Sequence, residues 1–179
     1  VLVAGFFVGY LVDLSHEDTY RHVEAANRRA QRAWEAILAQ RPETAIADLE
    51  ALRAAFPDNA LLLHQLVLAR AKTDLQDARE LLDQWLQRYP TDVEALLLLG
   101  ALCRDQDDLK GALAAYRTAA ATAPDDATRA VAILHQSTIV LDSGRPDQAY
   151  ELLRTLDLRH QFPTDVLVAL RYWRGLCQL

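Results

Sequence analysis

A proline followed closely by a carboxylate returns along this chain: "FPDNA" at Pro57, "YPTDV" at Pro90, "APDDA" at Pro124 and "FPTDV" at Pro163. The spacings are 33, 34 and 39 residues. Proline stops a helix because its ring blocks the preceding turn and it lacks an N–H, and aspartate is suited to cap the helix that comes next. Between the prolines lie runs rich in alanine and leucine, broken by short polar stretches such as "RDQDDLKG". A period near 34 that holds two helical runs leaves few folds open. Each helix pair has an apolar face that only the next pair can cover, so the pairs must stack as a solenoid. A non-repeating helical bundle is the alternative, but it offers no reason for proline, alanine and aromatic positions to coincide at one period.

Composition points the same way. The 179 residues are 51% hydrophobic, with few β-branched or aromatic side chains, a mix that favours helix over strand. A net charge of −6 excludes a general attraction to nucleic acid or anionic lipid. Cys103 and Cys177 are too few for a disulfide framework and read as small apolar residues.

Residues 91–124 give the clearest unit. Leu96, Leu99 and Gly100 fall on one helix face, and Ala112, Tyr116 and Ala119 on a face of the next. Gly100 and Ala112 let two antiparallel helices approach closely. Tyr116 fills the gap against the following unit, Pro124 ends the second helix, and Asp126 is expected to cap the next. This unit resembles the tetratricopeptide repeat. Leu96 stands at the usual tryptophan position, Leu99 and Gly100 match the Leu-Gly pair, and Cys103 replaces the usual tyrosine. Ala112, Tyr116, Ala119 and Pro124 match the small, aromatic, small and proline positions.

The neighbours fit in register. Residues 58–90 carry Leu63, Leu66, Ala78, Leu82 and Trp85, with the inter-helix turn shortened by one residue. Residues 125–163 carry Ala130, Ile133, Ala149, Leu153 and Leu156, with about three extra residues before "SGRPDQA". A degenerate first unit, 21–57, uses Ala45 and Leu49, and residues 164–179 read as the first helix of a fifth unit. The resemblance implies an all-α, right-handed α-solenoid of antiparallel helix pairs over residues 15–179, with an apolar N-terminal helix before it.

That N-terminal segment is unlike the rest. "VLVAGFFVGYLV" carries no charge before Asp13, and Gly5 and Gly9 have a spacing that suits close helix packing in lipid. Its length is under the roughly 20 residues a spanning helix needs. Residues 1–14 therefore read either as the end of a transmembrane anchor or as a buried helix, and the absence of Met reads as a trimmed or processed chain. From Ser15 a helix is expected to run to about Gln40, with Asp18 completing a capping box and Pro42 stopping it.

Nothing in the sequence assembles a catalytic or metal site, and no cofactor is expected. His16 and His22 are six apart, on different helix faces, unlike a zinc-protease pair. The "DQDDLKG" turn has Lys110 where a calcium loop needs glycine.

In the tetratricopeptide family the first helix of each unit lines a concave groove. By register that face would hold Leu61, His64, Gln65, Leu68 and Lys72 in one unit. Glu94, Leu97, Leu98, Ala101 and Arg104 come in the next, then Thr128, Val131, Ala132, His135 and Thr138. Chaperone-binding members hold a terminal carboxylate with Lys, Asn and Arg at places that here carry His64, Leu68, Leu98 and Ala132, so that clamp is missing. The apolar face suits an amphipathic helix laid into it, although Leu97 and Leu98 would equally serve internal packing. The resemblance implies a non-catalytic protein-interaction scaffold. With the apolar run it implies a bacterial protein tethered to the inner membrane, its soluble part cytoplasmic, that serves an envelope, polysaccharide-export or membrane-enzyme complex. An integral subunit of a membrane complex and a self-associating solenoid are the other expectations.

Overall fold

The computed structural model describes residues 17–156 and 163–177. The apolar run expected as an anchor, the capping residue Ser15, and His16 and His160 lie outside the described residues. Every described element is an α-helix. They are α1 (Glu17–Leu38), α2 (Pro42–Ala55), α3 (Ala60–Arg70), α4 (Leu75–Arg88), α5 (Val93–Asp105), α6 (Leu109–Thr122), α7 (Asp126–Asp142), α8 (Pro146–Arg154) and α9 (Thr164–Leu176). Among the described residues no helix is long and apolar enough to cross a membrane. The chain divides into two compact units, one ending at Leu81 and one beginning at Leu82. The division falls inside α4 rather than at a repeat boundary.

In the first unit, α1 packs on α2 and α2 on α3. Ala30, Ala33 and Ala36 form a small-residue face on α1 that meets Ala45, Leu49 and Leu52 of α2 and Leu62, Leu66 and Ala69 of α3. Alanine leaves room for the larger leucines opposite, and the contact excludes water.

The second unit repeats the scheme from α5 through α9. Leu96, Ala119 and Ala132 form one cluster, and Cys103, Ala112, Tyr116 and Ile139 another. Ala130, Ile133, Leu153 and Leu156 join Val166 and Leu170 of α9 in a third. The extra residues seen in the last full repeat lengthen α7 to 17 residues, against 13 in α5.

The proline punctuation has a physical account. After Pro57, Asn59 caps α3 by accepting from Leu62 N at 3.1 Å. After Pro90, Asp92 caps α5 through Ala95 N at 3.1 Å, and its second oxygen accepts from Trp85 Nε1 at 2.7 Å. After Pro124 the cap is Asp125 and not Asp126 as expected. Asp125 takes the N–H of Thr128 at 2.7 Å and its hydroxyl at 3.0 Å, while Asp126 is already the first residue of α7. These bonds hold the Asp125 carboxyl below the usual carboxylate range. Pro42 and Pro146 sit in the first turns of α2 and α8, where an N–H has no helical partner to lose.

The first helices end in a common way. At α1, Arg41 N donates to Ala36 O and Gln40 N to Ile37 O, with Gln40 at φ 56°. At α5 the pairs are Asp108 N to Cys103 O and Asp107 N to Arg104 O, with Asp107 at φ 59°. At α7 they are Arg145 N to Val140 O and Gly144 N to Leu141 O, with Gly144 at φ 72°. This is the Schellman closure, and it reverses the chain within three residues. The α3 turn closes differently, with Thr73 N and Asp74 N both donating to Arg70 O.

One long-range tie completes the second unit. Arg174 of α9 donates from Nη2 to Leu153 O at 2.7 Å and Leu156 O at 2.8 Å, so α9 adds side-chain donors to the local backbone bonds that close α8.

Candidate partner-binding surface

In the first unit the α3 face is built by exclusion. Leu62, Leu63, Leu66, Val67 and Ala69 are all buried, an arc of roughly 160° of the helix. What remains outward is Leu61, 42% exposed, and Leu68, 39% exposed, with His64 half-buried beside them, while Lys72, expected on this face, is exposed in the turn after α3. Leu61 and Leu68 are seven apart, two turns along one stripe. Gln65 was expected on this face but is only 5% exposed, because it lies on the flank where the buried arc begins.

The second unit presents α5 and α7. Glu94 is exposed, and Leu97, Leu98, Ala101 and Arg104 are half-buried. Leu97 packs against both the Leu96 and the Tyr116 clusters, so it supports the interior as well as bordering the surface. On α7, Thr128, Val131, His135 and Thr138 are half-buried, while Ala132 is 0% exposed and belongs to the core rather than to a binding face. Val131 packs on the Ile133 cluster.

Tyr116 organises this side. Its ring is 0% exposed, and a Cβ built on Gly100 would lie 2.5 Å from its Cε1. The imidazole of His135 stacks on it with centroids 4.9 Å apart and planes 14° from parallel. Gln136 Nε2 donates to the Tyr116 carbonyl at 3.1 Å. Burial pushes the Tyr116 hydroxyl above its ordinary pKa. Burial, and then the Arg104 charge, pull His135 below its usual value of 6.5, so it is neutral at neutral pH. The repeat positions Ala112, Ala119 and Leu96 are buried, Leu99 is half-buried and Pro124 is exposed at the turn.

Sequence spacing held no sign of the His135 stack or the Gln136 bond. Both join residues about 20 apart through the packing of α6 on α7, a contact that only the register of two whole helices defines.

The arrangement offers apolar area and a few polar edges. Residues 39–92 and 65–127 match the family model of the tetratricopeptide repeat. No curated protein matches the chain. Helix pairs, close-approach glycine, buried tyrosine and family match agree: residues 39–127 are similar to tetratricopeptide repeats, modules that are typically non-catalytic and bind protein partners.

Proposed function

We propose that this protein is a non-catalytic scaffold that holds a partner polypeptide on the outward faces of its first helices, by apolar contact with an amphipathic helix. The observation that carries this reading is the Leu61–Leu68 stripe on α3: two large apolar side chains, each about two-fifths exposed, with one lysine at the end. Such a stripe fits the i, i+3/i+4, i+7 anchors of a helical ligand. The uncharged run at residues 1–12 supports a membrane tether, which would keep the scaffold beside a membrane-bound bacterial complex, with the repeats on the cytoplasmic side.

The test uses the full chain as bait in a detergent extract of its native membranes. A Leu61→Asp/Leu68→Asp double variant places carboxylates against the partner's apolar face. Partner recovery should fall by about tenfold or more, roughly 1.4 kcal/mol, while added salt weakens the wild-type complex little. Unchanged recovery by a variant with native circular dichroism would rule the α3 face out.

A further inference from the structure

The first unit also carries a cavity of about 430 Å³ walled by α2, α3 and α4. It lies on the other side of α3 from the leucine stripe. Leu66 and Arg70, which line it, are roughly half a turn round the helix from Leu61 and Leu68. Leu66, Leu81 and Pro57 make its apolar surface.

Its charges are unevenly paired. Arg70 lies between two carboxylates, with one guanidinium nitrogen on Glu50 and another 3.0 Å from Asp77. Those three groups leave one negative charge, spread over two carboxylates that Arg70 already holds. Arg53, one turn along α2 from Glu50, also lines the cavity and has no carboxylate partner among the described residues. Burial alone pulls its guanidinium below the ordinary value. Arg53 is thus partly desolvated beside an apolar wall, with no carboxylate at ion-pair distance among the described residues.

We propose that this cavity is a second docking site, which takes an acidic side chain of a partner polypeptide on Arg53 and an adjacent aliphatic side chain on Leu66, Leu81 and Pro57. A guanidinium offers a carboxylate two parallel N–H bonds, and the low-dielectric wall strengthens them. Glu50, Ala54 and Pro57 at the rim are exposed, so the cavity is a shallow cleft. It is shaped for a side chain presented from a chain and not for a free molecule, which needs nearly complete enclosure. Arg53 and Arg70 balance Glu50 and Asp77, so the cavity is neutral on a chain whose net charge is −6, and Arg53 fixes where an acidic side chain sits within it.

The probe is the peptide acetyl-Leu-Glu-Leu-amide, titrated into the full chain by NMR. The Arg53 side-chain N–H and the Leu66 and Leu81 methyl resonances should shift together. Acetyl-Leu-Gln-Leu-amide should bind about tenfold more weakly or worse, and Arg53→Gln should weaken the glutamate peptide to the same degree. The Leu61→Asp/Leu68→Asp variant should bind the peptide as the wild type does, which keeps this site separate from the α3 stripe. Equal binding of the two peptides to the unaltered protein would overturn the proposal. Shifts confined to Leu61 and Leu68 would do so too.

Discussion

Alanine at position 100 would put a methyl group 2.5 Å from Cε1 and 2.7 Å from both Cδ1 and Cζ of Tyr116. Carbon atoms attract best at about 3.5–4.0 Å, so the ring would have to withdraw by about 1 Å. It has nowhere easy to go: Cys103, Ala112 and Ile139 surround it, and His135 stacks on it. Overpacking of this kind costs about 1–3 kcal/mol. Against it stands the helix preference for alanine over glycine, about 0.8–1.0 kcal/mol in a helix interior. The two terms oppose each other, so Gly100→Ala should destabilise by up to about 2 kcal/mol. In a Tyr116→Ala background the steric term vanishes and the same change should stabilise by about 1 kcal/mol. Urea unfolding of the four proteins followed by circular dichroism gives the coupling energy directly, and it should be about 1–3 kcal/mol. A Tyr116→Phe background keeps every clashing ring atom and should leave the cost in place. If Gly100→Ala stabilises the otherwise unaltered protein and the Tyr116→Ala variant equally, the close approach of α5 and α6 at this point is wrong.

Other perturbations probe the joints. Asp92→Ala removes a helix cap and leaves the Trp85 indole N–H without its acceptor, so urea unfolding should show a loss of roughly 2–3 kcal/mol. Asp107→Gly should stabilise by roughly 0.5–1 kcal/mol, because left-handed strain of about 1–2 exceeds the unfolded-state entropy that glycine adds. The converse, Gly144→Ala, should cost about 1 kcal/mol with no clash involved, since nothing lies within 4 Å of its Cβ position. His135 has a depressed folded pKa, so the unfolded chain binds its proton first. Stability should fall as the pH drops below about 6.5 and level off once the folded histidine is protonated, a slope that His135→Phe should remove from pH-dependent thermal unfolding.

Sequence spacing is informative here where the physics is local or periodic. Proline, a cap and a small residue each answer to a backbone requirement that recurs every turn or every repeat, which is why the period, read with the resemblance to the tetratricopeptide repeat, points to Gly100, Ala112 and Tyr116. Faces are harder. Gln65 and Ala132 share a register with exposed neighbours but lie at the margin of the stripe, and burial there depends on how wide an arc the adjoining helices cover. Capping by Asp125 rather than Asp126 turns on a single residue of helix start, which two adjacent aspartates cannot distinguish. Gln40 in a left-handed turn carries no glycine signal at all. Arg53 stood out no better, because its significance lies in a carboxylate that Arg70 engages from another helix.

The Arg174 bonds bear on how the chain folds as it is made. The carbonyls of Leu153 and Leu156 each receive a side-chain donor from a residue 18 to 21 positions later. At synthesis rates of about 5–20 residues per second, the end of α8 must wait roughly 1–4 s for that donor to leave the ribosome. During that interval its last turn keeps its local bonds, Thr155 N to Leu152 O and Leu156 N to Leu153 O, but lacks the guanidinium that ties it to α9. Docking of α9 onto the repeat built on α7 and α8 is thus timed by translation, and delaying the emergence of Arg174 should prolong the exposure of that repeat to proteases and chaperones.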